Sequence, residues 1–320
     1  MDANTINKAL LEAISIKLPK GTSMAHVLMD TLLIGKEATY RRLRGEVPLS
    51  MYEAAILVKK YNISIDTLIE TNLAENSVFE LKTQRYYNLR EKDYYMFYEY
   101  LNTLKYAAAE SYSDQVFASN IFPMFPSNMY YMLAKYSSFR WLYLNQGSNT
   151  MMTFDELEYP DELSKVSKEI VNATMDIKNT CYIWDSTIFY YIVKEIKYFS
   201  KIHLIDKENI QKLKEDLSSL LTFIETIAIS GKFENGNKIQ IYIANLNSDT
   251  SYSYLDTERM HISMIGAFAP NYAVALDKKT LQKIKERILS LKRISYLISE
   301  SGEMQRIQFI KEQREIINTL

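Results

Sequence analysis

The segment IGKEATYRRLRGE, residues 34 to 46, sets four basic side chains and a tyrosine within a length that one short helix can carry. Arg41 has a guanidinium whose parallel N–H groups match guanine O6 and N7. Lys36 can donate to guanine or to phosphate, and Glu37 can accept from the amino group of cytosine. Together with Tyr40 these residues form a kit for the edges of base pairs, provided that they share one outward face. A run of charge alone marks only a solvated helix. The flanking elements must therefore decide which side chains point out.

Those elements are punctuated clearly. A first helix spans about Asn4 to Leu18, and Pro19-Lys20-Gly21 interrupts it. Thr22 or Ser23 can cap a second helix with Val27, Leu28 and Leu32 on one side. The basic helix follows the turn Ile34-Gly35 and stops at Gly45, a residue type suited to a left-handed position. Thr39 and Leu43, four apart, face inward, which leaves Lys36, Glu37, Tyr40, Arg41 and Arg44 on or near the outward faces. Ser50 and Glu53 form an S-x-x-E capping box for a fourth helix with Ala54, Ala55, Leu57, Val58 and Tyr61. Asn62 ends it, and Ser64 caps a fifth helix with Ile65, Leu68 and Ile69 inward. The expected layout is a helical domain over 1–72, a linker over 73–82 and a larger region over 83–320.

In this order of elements, residues 22 to 70 resemble the helix-turn-helix transcription regulators, most closely the phage-repressor-like (Cro, XRE) five-helix type. The matching pieces are MAHVLMDTLL, the turn at Ile34-Gly35, the basic helix ending in Arg44-Gly45, and PLSMYEAAILVKKYNISIDTLI. Met29 and Asp30 depart from the small residues common late in that family's second helix. The resemblance implies a lambda-repressor-like domain on double-stranded DNA, commonly as a homodimer over two half-sites. Base contacts then fall to Lys36, Glu37, Tyr40 and Arg41. Phosphate contacts fall to the backbone near Gly35, to Arg42 and Arg44, and to His26 on the preceding helix.

Beyond the linker the pattern is chiefly helical as far as 232. Tyr94, Phe97, Leu101, Leu104 and Ala108 follow helical spacing, Pro123 and Pro126 interrupt, and Ser127 restarts a helix toward Trp141. From Asp206 a helix carries Ile210, Leu213, Leu217, Leu220, Ile224 and Ile227, a seam that serves either one chain's core or a dimer coiled coil. Residues 233–320 read as α+β. Ile239, Ile241 and Ile243 alternate as in a strand, and 251–255, 261–265 and 272–276 are further strand candidates. A helix from Asp277 and another from about Glu303 close the chain. The expected class is mainly α, with a small antiparallel sheet near the end. This larger region is expected to dimerise or to sense a small-molecule or protein effector, and its many tyrosines could line a pocket. The basic stretch Lys278, Lys279, Lys283, Lys285, Arg287, Lys292, Arg293 reads as a solvated face.

The bulk properties exclude several classes. With 38 basic and 39 acidic residues the net charge is -1, so nucleic-acid binding must rest on local charge. Cys181 is the single cysteine and reads as a buried apolar residue; three scattered histidines have no zinc spacing. No run of about 18 uncharged apolar residues occurs, and the first residues lack the basic flank and cleavage site of a signal peptide. No phosphate-binding glycine loop, HExxH or GxSxG motif is found. These features lead us to expect a cytoplasmic, sequence-specific transcription regulator that is not an enzyme, with no cofactor, no metal and no membrane partner. The alternative is a protein–protein adaptor whose helical module binds no DNA.

Overall fold

Apolar residues at three- and four-residue steps give the first sixty positions four helices around one small core. The structure is a computed structural model and describes residues 3–18, 21–61, 63, 65, 77–82, 94–120, 124–145, 152–245, 250–268 and 271–320. It divides into two units, Met1–Val78 and Phe79–Leu320. In the first, α1 (Ala3–Lys17), α2 (Met24–Leu32), α3 (Lys36–Leu43) and α4 (Met51–Tyr61) bury Leu10, Ile14, Leu28 and Leu57. Leu43, Leu49 and Val58 pack against that cluster. The capping box is reciprocal: Ser50 N–H donates to Glu53 Oε2 at 2.8 Å, and Glu53 N–H donates to Ser50 Oγ at 3.2 Å. Ser23 occupies the N-cap position of α2, yet its side chain makes no capping bond. The helix expected from Ser64, apart from Ile65, and residues 73–76 of the linker lie outside the described residues, while 80–82, expected as linker, form a strand of the second unit.

The second unit corrects the expected fold class. Among the described residues its eight strands form one mixed sheet, so the chain is α+β rather than mainly α with a small antiparallel sheet. In chain order the elements are β1 (Glu80–Lys82), α5 (Tyr95–Ala108), β2 (Ser113–Ser119), α6 (Met124–Ser127), α7 (Tyr131–Asn145), α8 (Asp161–Met175) and β3 (Asn179–Asp185). Then come α9 (Ile188–Lys201), α10 (Lys207–Ser230), β4 (Lys238–Ala244), β5 (Tyr252–Thr257), β6 (His261–Phe268), β7 (Asn271–Ala275), α11 (Lys278–Arg293), β8 (Ser295–Leu297) and α12 (Glu303–Asn318). The strand order is β1-β7-β6-β5-β2-β3-β4-β8. β2, β3 and β4 run parallel; every other pairing is antiparallel.

Physical reasons account for the missed strands. β2 and β3 are covered on both faces, so SDQVFAS and NTCYIWD lack the alternation that marks a half-exposed strand. Parallel strands also need long crossovers, and helices α6 to α8 and then α9 and α10 fill them, which gave the stretch its helical look. Along β3, Tyr182 and Trp184 enter the large helical core, while Cys181 and Ile183 enter a second core under α11 with Val116, Ala118, Leu281, Ile284, Ile288 and Leu291. The α10 seam is intrachain, since Leu213, Leu217, Leu220, Ile224 and Ile227 are all buried in that helical core. Asp206 and Asp277 cap α10 and α11, each accepting an N–H at 2.7 Å, from Asn209 and Thr280 respectively. Among the described residues no helix is long and apolar enough to cross a membrane.

Candidate nucleic-acid interface

The direction of each α3 side chain follows from what anchors the helix. Thr39 is fully buried and its hydroxyl donates to Gly35 O at 3.1 Å; Leu43 packs on the small core one turn later. At about 100° per residue, Lys36, Glu37, Tyr40, Arg41 and Arg44 then share one arc of about 140° that begins about 20° past Leu43 and ends opposite the inward pair. All five are exposed. The turn before α3 uses Leu33 in the left-handed region, φ 53°, with its side chain 89% exposed. Gly35 has φ -69°, open to any residue, and a Cβ there would meet nothing within 4 Å. No side chain caps α3, so the amide donors of its first turn have no side-chain acceptor. His26 is exposed on α2.

Arg42 sits differently from its neighbours. Its Nη2 pairs with Glu53 Oε1 at 2.6 Å and its Nη1 donates to Ala38 O at 3.0 Å. The two side chains are only 17% and 12% exposed. Because Glu53 also closes the cap on Ser50, a single carboxylate ties α3 to the start of α4. Burial pushes the Glu53 carboxyl up, but the bonds from Arg42 and Ser50 outweigh it and hold it below the usual range. The S-x-x-E spacing announced only the capping half of this arrangement.

Arg44 and Arg41 share Glu46. Arg44 Nε lies 2.6 Å from Glu46 Oε1, Arg41 Nε lies 3.7 Å from Oε2, and Arg44 Nη2 lies 3.8 Å from Glu37. The hydrogen bond from Arg44 lowers the Glu46 carboxyl and raises the Arg44 guanidinium from their ordinary values. These pairs are solvent-exposed, a setting in which an ion pair contributes little to stability and is readily screened by salt. Across residues 1–78, nine Lys and Arg stand against nine Asp and Glu, so the positive character is local to the α3 face.

The more heavily charged helix α11 has three of its cations, Lys285, Arg287 and Lys292, engaged by the sheet. Lys285 Nζ is 2.5 Å from Asp256 and lies over the Tyr254 ring; Arg287 covers Tyr252; Lys292 covers Tyr242 and donates to Gln240 at 2.9 Å. The tyrosines Tyr94, Tyr136, Tyr159 and Tyr182 are core residues. Cys181 is buried in β3, and burial pushes its thiol up to about 12. Among the described residues no group of three or more His, Cys, Asp or Glu could hold a metal ion. Comparison of the chain with protein-family models, with curated proteins and with solved structures gives no match.

Proposed function

We propose that the protein is a sequence-specific DNA-binding transcription regulator of the helix-turn-helix, phage-repressor-like kind. The observation that carries this is the division of α3, with Thr39 buried and Lys36, Glu37, Tyr40, Arg41 and Arg44 gathered on one exposed arc. In this scheme Lys36, Glu37, Tyr40 and Arg41 read bases in the major groove. Gly35, the open amides after it, Arg44 and His26 hold phosphates, and the missing side chain at Gly35 lets the sugar-phosphate backbone come close. Arg42, first expected among the phosphate contacts, acts instead as a strut that sets the angle of α3 through Glu53. The protein works in the cytoplasm as a homodimer, and the sheet unit supplies the dimer contact or senses an effector.

A second reading is an adaptor in which the helical module binds another protein. It is favoured by the balanced charge of residues 1–78 and by three well-exposed apolar side chains, Leu33, Met51 and Tyr52. Selection of bound duplexes from a random library, followed by salt titration of the best one, separates the two. DNA recognition predicts a pseudo-palindromic site and an affinity that falls linearly on a log–log plot, with a slope of about -0.9 per phosphate contacted. Absence of duplex binding at low salt would leave the adaptor.

A further inference from the structure

Among the described residues three other than glycine have a positive φ: Leu33 at 53°, His203 at 59° and Glu300 at 57°. A left-handed backbone crowds Cβ against the following carbonyl oxygen, so glycine takes it without strain and asparagine, aspartate and histidine tolerate it best. Leu33 is the apolar one of the three. It ends α2 at the C-terminal position where a left-handed residue is usually glycine or asparagine. At 89% it is also the most exposed large apolar side chain among the described residues. The strained backbone and the apolar side chain in water are two separate costs to the first unit, and Leu33 is not one of the side chains that pack its core.

Leu33 stands at the head of the helix whose outward arc carries Lys36, Glu37, Tyr40 and Arg41. Ile34 is half-buried, Gly35 is the N-cap and Lys36 opens α3. Three Cα steps of about 3.8 Å keep Leu33 within about 11 Å of Lys36, a span of about three base-pair steps. The polar side chains of the arc suit the donors and acceptors of base edges, none of which a leucine can satisfy. The major groove offers it one apolar group, the C5-methyl of thymine. We propose that Leu33 packs against a thymine methyl in the major groove, within about three base pairs of the base that Lys36 reads. The contact rests on the reading of α3 as a DNA-recognition helix, and it gives that helix a preference for thymine that its charged residues do not carry. Burial of the leucine tip in the complex offsets its exposure in the free protein.

The test uses the full chain and its selected duplex, with each thymine in turn replaced by deoxyuridine, which removes the methyl and leaves every hydrogen-bonding group in place. At one position the replacement is expected to weaken binding by the wild-type protein about fourfold, the worth of one buried methyl-sized group. Leu33→Asn suits the left-handed turn but has no apolar tip. It should bind the two duplexes equally, with amide-exchange protection of α2 and α3 at or above the wild-type level. Leu33→Gly, equally suited to the turn, serves the same comparison should the Asn variant lose its fold. Leu33→Met keeps an apolar tip and should keep a preference for thymine. Sequence-selective binding by the wild-type protein that is indifferent to every methyl would overturn the contact and leave the DNA reading standing. So would a methyl effect of unchanged size in Leu33→Asn or Leu33→Gly. Failure of the wild-type protein to bind any duplex at low salt would overturn both.

Discussion

Helices α3 and α11 are both basic, and they use charge in opposite ways. α11 carries seven Lys and Arg, but Lys285, Arg287 and Lys292 lie on aromatic rings of the sheet, and Lys285 also neutralises the buried Asp256. α3 has three Lys and Arg within its eight residues and directs two of them, Lys36 and Arg41, outward. The lesson is that the number of cations on a helix says little about binding. What matters is whether a neighbouring element already satisfies them. Within α3 the same contrast recurs between adjacent residues, with Arg41 half exposed and Arg42 enclosed with Glu53.

The largest expected effect lies on α11. Lys285→Met leaves Asp256 with His261 as its remaining side-chain ion partner, 2.7 Å away, and should cost about 2 to 4 kcal/mol in chemical denaturation. Trp141 and Trp184, the only tryptophans, both belong to the sheet unit and report that transition by fluorescence. An unchanged midpoint would mean that the Lys285–Asp256 pair adds nothing to the stability of the sheet unit. Next is Glu53→Gln, which strips Arg42 of its charge partner and should cost about 2 to 3 kcal/mol of protection in amide exchange over α3 and α4. Because the folded-state pKa of Glu53 is lowered from 4.5, its contribution is fully present above that value and is lost as the pH falls through the lowered one. Protection in the wild-type protein should therefore decline in acid where the Gln variant shows no matching loss from this position.

Smaller effects probe the outward arc. Arg41→Ala should cost about 1 to 3 kcal/mol on the preferred duplex and little on random sequence, whereas Arg44→Ala should weaken both alike and flatten the salt slope by about one phosphate contact. Equal losses on both duplexes for both variants would refute the division of roles on α3. The smallest change is expected from Lys279→Ala on the exposed start of α11: less than about 0.5 kcal/mol in stability, with the salt slope of DNA binding untouched.

Most local signals were readable, Ser23 at the head of α2 being an exception since it makes no capping bond. The Ser50 to Glu53 box, the aspartate caps at 206 and 277, and the inward step from Thr39 to Leu43 each depend on residues three or four apart, and each appears in the structure at those positions. Non-local relations were not readable. Arg42 meets Glu53 across eleven residues, and β3 finds β2 only after a sixty-residue crossover, so neither leaves a short-range period. Among the strands, β4 to β7 declared themselves by alternation, while β2 and β3, covered on both sides, did not.

The edge strand β1 carries a consequence for how the chain is made. Glu80 pairs with Val274 of β7, so β1 emerges from the ribosome 194 residues before its partner. At about 5 to 20 residues per second that interval is roughly 10 to 40 s. Among the described residues, the core of the first unit draws on positions between Leu10 and Ile63, all of which leave the ribosome before most of the sheet. The register of β1 thus makes the edge of the sheet the part of the chain whose pairing has to wait for its last quarter, whereas contacts of the first unit are local in sequence.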